Sequence, residues 1–588
     1  MSEQKKPNNK IDWQLLGRVL TLARPYRKLF VGAAVLAVVL APLSTLRPKL
    51  VQVMVDDYIF VYDIPGMTKV LLLLVGVLVV ESALRYLFIF STNLLGQNVI
   101  RDLRVRVFDH ITSLRLTYFD RTPIGTSTTR TINDIETINT VFSQGAITII
   151  ADLLTVVAVL GMMFWTSWRL TLICLTTLPF LIVASYVFKE KVKAAFQVVR
   201  TQISRMNAFL QERISGMRVV QIFNAEEQEM DEFRRINREY TQANLNSILY
   251  YAIFYPVVEI ISAASLGLMV WWGSRGVIGG EVTLGALVAF PIYLNLLFRP
   301  IRMLADRFNT LQMGLVASER VFTLLDRTDK ITDTGTLSPA QLRGKVNFEG
   351  VWFAYNEIDW VLKDLSFEIQ PGETLAIVGG TGSGKSTIIN ILLRFYETQK
   401  GTIHIDDRNV RDYDLATLRE KMAIVLQDVF LFSGSVLENI TLRSKAISRE
   451  QVIEASKLIG AHEFIDKLPG GYDYQVMERG ATLSMGQRQL ISFVRALVFD
   501  PQILILDEAT SSIDPETESV IQYAIEKLID RRTSIIIAHR LTTILHADNI
   551  LVLQKGEIQE FGPPDELLQI EDGHFRQLYD MQYVGEGV

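Results

Sequence analysis

The sequence predicts a chain of two fold classes: an all-α membrane domain of six transmembrane helices, followed by an α/β domain with a largely parallel sheet. Three observations carry this. Apolar residues make up 49% of the 588 positions and mean hydropathy is +0.24, more apolar than a soluble enzyme of this size. The first half consists of long apolar runs separated by two long charged segments. After about residue 345 the pattern changes to short β-rich runs (VNFEGVWFAY, TLAIVG, MAIVLQ, ILILDEA, TSIIIAH) alternating with amphipathic helices.

Taken in order, residues 1–28 form an N-terminal segment. Its charges recur among apolar residues and no small-residue cleavage site follows, so it is not a signal peptide; Ile11 to Arg24 reads as an amphipathic helix at a membrane surface. Residues 29–311 form the membrane domain, with spans at about Leu29–Leu50, Val70–Leu95, Ile147–Trp165, Leu170–Phe188, Ile248–Trp272 and Val282–Met303. Lys and Arg concentrate before the first span and after the second and fourth, whereas the first outer loop carries Asp56, Asp57 and Asp63. The basic segments and both termini are therefore expected on the cytoplasmic side. The two charged segments read as helices continuing out of the membrane; FDRTPIGTST supplies a turn at Pro123 and Gly125. Residues 312–345, with a polar stretch from 326 to 344, are the expected linker, 346–580 the α/β domain and 581–588 a tail.

The bulk numbers also exclude. A net charge of -5 gives no reason to expect a nucleic-acid partner. The one cysteine, Cys174, allows no intrachain disulfide and reads as a small buried residue. The six histidines and one cysteine form no metal-ligand cluster.

The chemistry lies in the second half. GGTGSGKST (Gly379, Gly380, Thr381, Gly382, Ser383, Gly384, Lys385, Ser386, Thr387) follows a strand and precedes a helix. It fits G-x-x-x-x-G-K-[ST], whose glycines let backbone N–H groups converge on phosphate oxygens at a helix N-terminus. Lys385 is placed for the β- and γ-phosphates and Ser386 for Mg2+. ILILDEA ends a buried strand in two carboxylates: Asp507 for Mg2+ and Glu508 to polarise an attacking water. In LSMGQ, Ser484 and Gln487 have capping-box spacing. The motif is a helix start, an anion site, or both, and the local pattern leaves this open.

Together GGTGSGKST, LSMGQRQL and ILILDEATSSID resemble the ATP-binding cassette domain over residues 346 to about 580. The first half resembles the six-helix membrane domain of type IV exporters, and the order of the two is that of a half-transporter. The resemblance implies ATP and Mg2+ as cofactors, adenine stacking on Tyr355, a Q-loop Gln427 joining Ser386 and Asp507 as Mg2+ ligands, a D-loop Asp514 and a switch His539 acting with Glu508. It also implies that Ser484 and Gly486 contact ATP held by a second half-transporter, hence a dimer. A homodimer is the expectation. Met485, where the family usually has glycine, keeps a heterodimer as the alternative. The implied function is ATP-driven export or flipping of an amphipathic drug or lipid by alternating access, in a bacterial cytoplasmic membrane and in contact with its lipid.

A nucleotide-gated channel or regulator is the alternative; it would carry a further regulatory segment, and no long insertion or tail is seen. In the spans, Glu81 and Arg85 lie one helical turn apart, and Glu259 and Asn295 are the other polar candidates for a substrate cavity. The same residues read equally as ion pairs that hold helices together.

Overall fold

The computed structural model describes residues 12–330, 333–356, 358–507, 515–537 and 544–586. The chain divides into two compact units, residues 1–112 with 122–328, and residues 113–121 with 329–588.

In the first unit six helical segments are long and apolar enough to cross a membrane: Arg24–Ile59, Ile64–Thr112, Ile124–Thr166, Trp168–Ser215, Glu226–Ile278 and Leu284–Leu325. The second has 49 residues. At about 1.5 Å per residue it is about 75 Å long, more than twice the thickness of a bilayer's hydrocarbon. The helices thus continue far past their apolar runs, as the mixed-charge segments predict. Local sequence sets their ends. The fifth opens on Glu226, Glu227 and Glu229, acids at the positive end of the helix dipole. The turn before it is made by Gly216 and the short helix Met217–Ile222.

Much of the apolar surface in this unit faces outward, with Leu72 67% and Trp165 77% exposed, as hydrocarbon solvent requires. Inside, Met163, Cys174, Leu181, Phe254, Met269 and Tyr293 form one core across the third to sixth spans. Phe188 stacks on Phe254 with ring centroids 3.9 Å apart.

Two boundaries differ from the sequence reading. The helix of the sixth span runs on to Leu325, so the first part of the expected linker is helical, because Leu311, Leu315, Val321 and Phe322 keep an apolar face that stays buried. The N-terminal helix is Trp13–Thr21, started by Asp12, whose carboxylate accepts from the N–H groups of Gln14 and Leu15. It buries Leu16 and Val19, and Arg18 donates to Asp326 at 2.7 Å while its guanidinium lies over Phe322. It is fastened to the end of the sixth helix.

The second unit carries twelve strands among the described residues: β1 Val346–Phe353, β2 Leu362–Ile369, β3 Thr374–Val378, β4 Lys400–Ile405, β5 Arg408–Asn409, β6 Met422–Val425, β7 Gly434–Ser435, β8 Gln475–Val476, β9 Ile503–Asp507, β10 Thr533–Ile537, β11 Asn549–Gln554 and β12 Glu557–Gly562. The main sheet has the order β12-β11-β3-β10-β9-β6. All its pairings are parallel except β11 with β12. A separate antiparallel sheet, β2-β1-β4-β5, was not anticipated.

The parallel sheet is apolar on both faces, which alternate residue by residue. Leu375 and Ile377 of β3 pack with Ile388, Ile389 and Ile391 of the helix Lys385–Leu392. Ala376 and Val378 face the opposite side, whose core includes Leu490, Ile491, Phe493 and Val494 of the helix Met485–Val498. The two helices that begin at GKST and at LSMGQ therefore cover opposite faces of one sheet.

Candidate functional site

Parallel strands bring the first two motifs level. β3 and β9 flank β10, and Ile537 is the register partner of both Ile377 and Asp507. The phosphate loop and Asp507 thus leave the sheet at its carboxyl edge two strand positions apart, about 10 Å, where α/β sheets bind ligands. β6 lies on the other side of β9 with Val425 opposite Leu506, so Gln427 follows at the same edge.

The loop's glycines are dictated by space. A side chain on Gly379 would come within 2.1 Å of the Leu553 carbonyl oxygen. Gly384, at the N-cap of the helix Lys385–Leu392, has φ 112°, a left-handed conformation open to glycine. Lys385 is 8% exposed and donates from Nζ to the carbonyls of Gly379 at 2.7 Å and Gly380 at 3.0 Å. Burial pushes its ammonium below the ordinary lysine range, opposed by the negative charge of Asp507. A bound polyphosphate would offset that penalty. The Ser383 hydroxyl is buried without a hydrogen-bond partner, an orphan of the kind a phosphate oxygen satisfies.

The residues expected to hold Mg2+ offer only hard oxygens: the exposed Ser386 hydroxyl, the exposed Gln427 amide and the Asp507 carboxylate. Among the described residues no group of three or more His, Cys, Asp or Glu gathers elsewhere as a metal site. The set fits Mg2+, which uses one or two carboxylates together with phosphate oxygens.

Tyr355 lies just past β1 and is 38% exposed. Its hydroxyl is 3.2 Å from the Thr387 hydroxyl and accepts from Asn390 Nδ2 at 3.2 Å, which ties the aromatic residue to the helix after the phosphate loop. Sequence reasoning missed Asn390; its position one helical turn past Ser386 was the available signal.

At LSMGQ both halves of the capping box form. Ser484 Oγ accepts from Gln487 N at 3.2 Å, and Gln487 Oε1 accepts from Ser484 N at 3.0 Å. Gly486 is buried and Met485 half-buried in the first turn of Met485–Val498. The remaining expected residues, Glu508, Asp514 and His539, lie outside the described residues.

In the membrane unit Glu81 is 4% exposed and held from both sides: Arg85 donates to it at 3.1 Å, and Arg47 of the first span approaches to 2.9 Å. Arg307 of the sixth span lies 2.7 Å from Asp152 of the third, with Arg85 and Arg299 also in electrostatic reach of that carboxylate. Arg47 Nε, Glu81 Oε2, Asp152 Oδ2 and Arg307 Nε are buried but not aligned into hydrogen bonds. The sequence signalled Glu81 with Arg85, but not Arg47, Asp152 or Arg307. Asn295 donates back to the Pro291 carbonyl at 3.1 Å, and Glu259 is exposed; neither joins this charged layer.

Six apolar helices in one chain with an α/β phosphate-loop domain define a membrane-embedded nucleotide-driven protein. Two family models match: the ABC transporter transmembrane region over residues 30–301 and ABC transporter over residues 362–511. The chain is 39% identical to the uncharacterized ABC transporter ATP-binding protein YknV of Bacillus subtilis, over 98% of this chain and 96% of that protein. It is 38% identical to a probable multidrug resistance ABC transporter ATP-binding/permease protein, YheH, of the same organism, over 88% of this chain and 77% of that one. It is 33% identical to the ATP-dependent lipid A-core flippase of Syntrophus aciditrophicus, over 99% and 97%. The chain belongs to the ABC transporters. It is a half-transporter, a multi-pass membrane ATPase that binds ATP and couples its hydrolysis to transport.

Proposed function

We propose that this half-transporter exports or flips an amphipathic drug or lipid as a dimer. The observation that carries the dimer is the placement of the helices beginning at Lys385 and at Met485 on opposite faces of one sheet. A chain so built offers a phosphate loop on one side and a capped, anion-attracting helix start on the other, and a second copy turned head to tail completes each site. Ser484 and Gly486 then contact ATP held by the partner's loop, and Asp514 meets the partner at the same seam. A homodimer is favoured, since Gly486 is retained where the backbone approaches most closely. Pairing with a different half-transporter is the alternative that Met485 leaves.

Within each site Lys385 and the loop amides hold the phosphates, Tyr355 takes the adenine, and Ser386, Gln427 and Asp507 hold Mg2+. That ion supplies charge neutralisation on the phosphate oxygens. Glu508 accepts a proton from the attacking water and His539 orients the reacting groups. Closure of the dimer drives the long helices between inward- and outward-facing states, with both termini cytoplasmic. An amphipathic cargo is supported by the layer of Arg47, Glu81, Arg85, Asp152 and Arg307 within otherwise apolar helices, where a polar end can be accommodated. The names of two of the relatives point the same way: one to multidrug resistance, one to lipid flipping.

The deciding experiment is ATP turnover by this chain alone in lipid, with Glu508→Gln as control. Brisk turnover that the control abolishes supports a self-sufficient dimer. ATP binding without turnover by the unmodified chain would show that a different partner is needed.

A further inference from the structure

We propose that Asp120, Arg121 and Tyr396 are positioning residues that set ATP affinity by fixing the aromatic platform at Tyr355. The inference rests on the reading of Tyr355 as the adenine-stacking residue.

The observation is a short stretch of chain in an unexpected place. Residues 113–121 follow the helix of the second span and precede that of the third, yet they belong to the second compact unit. They are fastened there along their length. Leu114 bridges Lys330, Arg115 N donates to the Asp329 carbonyl and Arg115 Nε to the Lys330 carbonyl, both at 2.9 Å. Tyr118, in the helix Leu116–Arg121, is 2% exposed.

That helix ends on two charged residues, and both act on one aromatic cluster. Arg121 donates to the backbone carbonyl of Tyr355 at 2.8 Å. Asp120 accepts the phenolic O–H of Tyr396. The Tyr396 ring meets Tyr355 edge-on at 5.0 Å, and Phe353 closes the cluster at 4.8 Å from Tyr355. Burial and the neighbouring Asp120 charge push the Tyr396 phenol above the ordinary tyrosine range, so it stays a donor across the physiological range. Tyr355 is thus held at three points: its carbonyl by Arg121, its ring edge by Tyr396, and its hydroxyl by Thr387 and Asn390. Two of the three trace back to the segment joining the second and third spans. Stacking needs the ring face presented at a fixed angle, so restraints on the ring act on nucleotide affinity.

The competing account is that these contacts only dock the segment. Exposed polar contacts contribute little as glue, and docking alone predicts no effect on ATP affinity. The two accounts separate in steady-state kinetics of the full chain in lipid, with ATP varied, for Asp120→Asn, Arg121→Gln, Tyr396→Phe and Tyr355→Ala. Tyr396→Phe keeps the ring and Asp120→Asn keeps the shape, so folding is preserved; melting temperature checks it. Each of the three positioning variants is expected to raise KM for ATP by about three- to tenfold with kcat changed less than about twofold. The Asp120→Asn/Tyr396→Phe double variant is expected to be no worse than either single one. Tyr355→Ala should raise KM most. If Tyr355→Ala raises KM and the other three do not, or if they lower kcat at unchanged KM, the positioning role is wrong while the platform stands. If Tyr355→Ala leaves KM unchanged, the platform reading itself fails and the inference with it.

Discussion

The membrane unit and the ATP-binding unit treat charge in opposite ways. In the first, large apolar side chains such as Leu72 and Trp165 face outward, and the charges of Glu81, Arg47, Asp152 and Arg307 sit between helices. In the second, aliphatic side chains fill both faces of a parallel sheet, and the functional polar groups emerge only where strands end. A solvent that cannot hydrogen-bond drives polar groups inward against one another, while water leaves them at the rim. A charge is therefore paired between helices in one unit and left at the strand ends in the other, and substitutions that test whether the first group holds helices and the second holds ligand should divide accordingly.

Glu508→Gln is expected to have the largest effect, lowering turnover by at least about a hundredfold while ATP binding persists, because it removes only the group proposed to activate water. Bound radiolabelled ATP and phosphate release measure the two separately. Persistence of turnover would remove Glu508 from its assigned role. Lys385→Met sharpens the contrast from the stability side. Burial holds the Lys385 ammonium below its ordinary range, so its charged form is penalised in the nucleotide-free fold at pH values below that lowered pKa, and the penalty fades as pH rises through it. The variant is expected to melt higher than the parent without nucleotide at neutral pH and to lose the rise that ATP gives the parent. A lower melting temperature without ATP would contradict the electrostatic account of this lysine.

Glu81→Gln should destabilise the membrane unit by about 2–3 kcal/mol, since it leaves Arg47 and Arg85 without their carboxylate, and leave ATP affinity unchanged. Melting in detergent, read beside nucleotide binding, tests this. Unchanged stability with lost transport would reassign Glu81 from strut to cargo contact. Ser484→Ala gives the smallest structural effect, about 1 kcal/mol for a lost N-cap. If turnover falls much further than that stability loss explains, the cap also meets phosphate.

What could be read from the sequence follows the range of each signal. Six apolar runs, a glycine-rich loop between strand and helix, and the spacing of Ser484 and Gln487 are local patterns, and each corresponds to the element found. Arg47 beside Glu81 and Asp120 beside Tyr396 are pairings of residues far apart in the chain, 276 residues in the second case, and no periodicity encodes them. The antiparallel sheet built on β1 escaped for the same reason: one β-rich run does not reveal whether its neighbours run with it or against it. The extra turns after residue 311 were hidden by charge, because the polar side chains of a half-buried helix resemble those of a loop until its apolar stripe is traced.

The separation of the Lys385 and Ser484 helices across a single sheet also has a genetic corollary. If the chain works as the proposed homodimer, a chain damaged only in its phosphate loop keeps a sound LSMGQ motif to lend, and a chain damaged only in LSMGQ keeps a sound loop. Each mutant would then be inert when paired with itself. Co-expressed, they would form hybrids in which one of the two ATP sites is wholly intact, so two loss-of-function alleles are expected to complement each other.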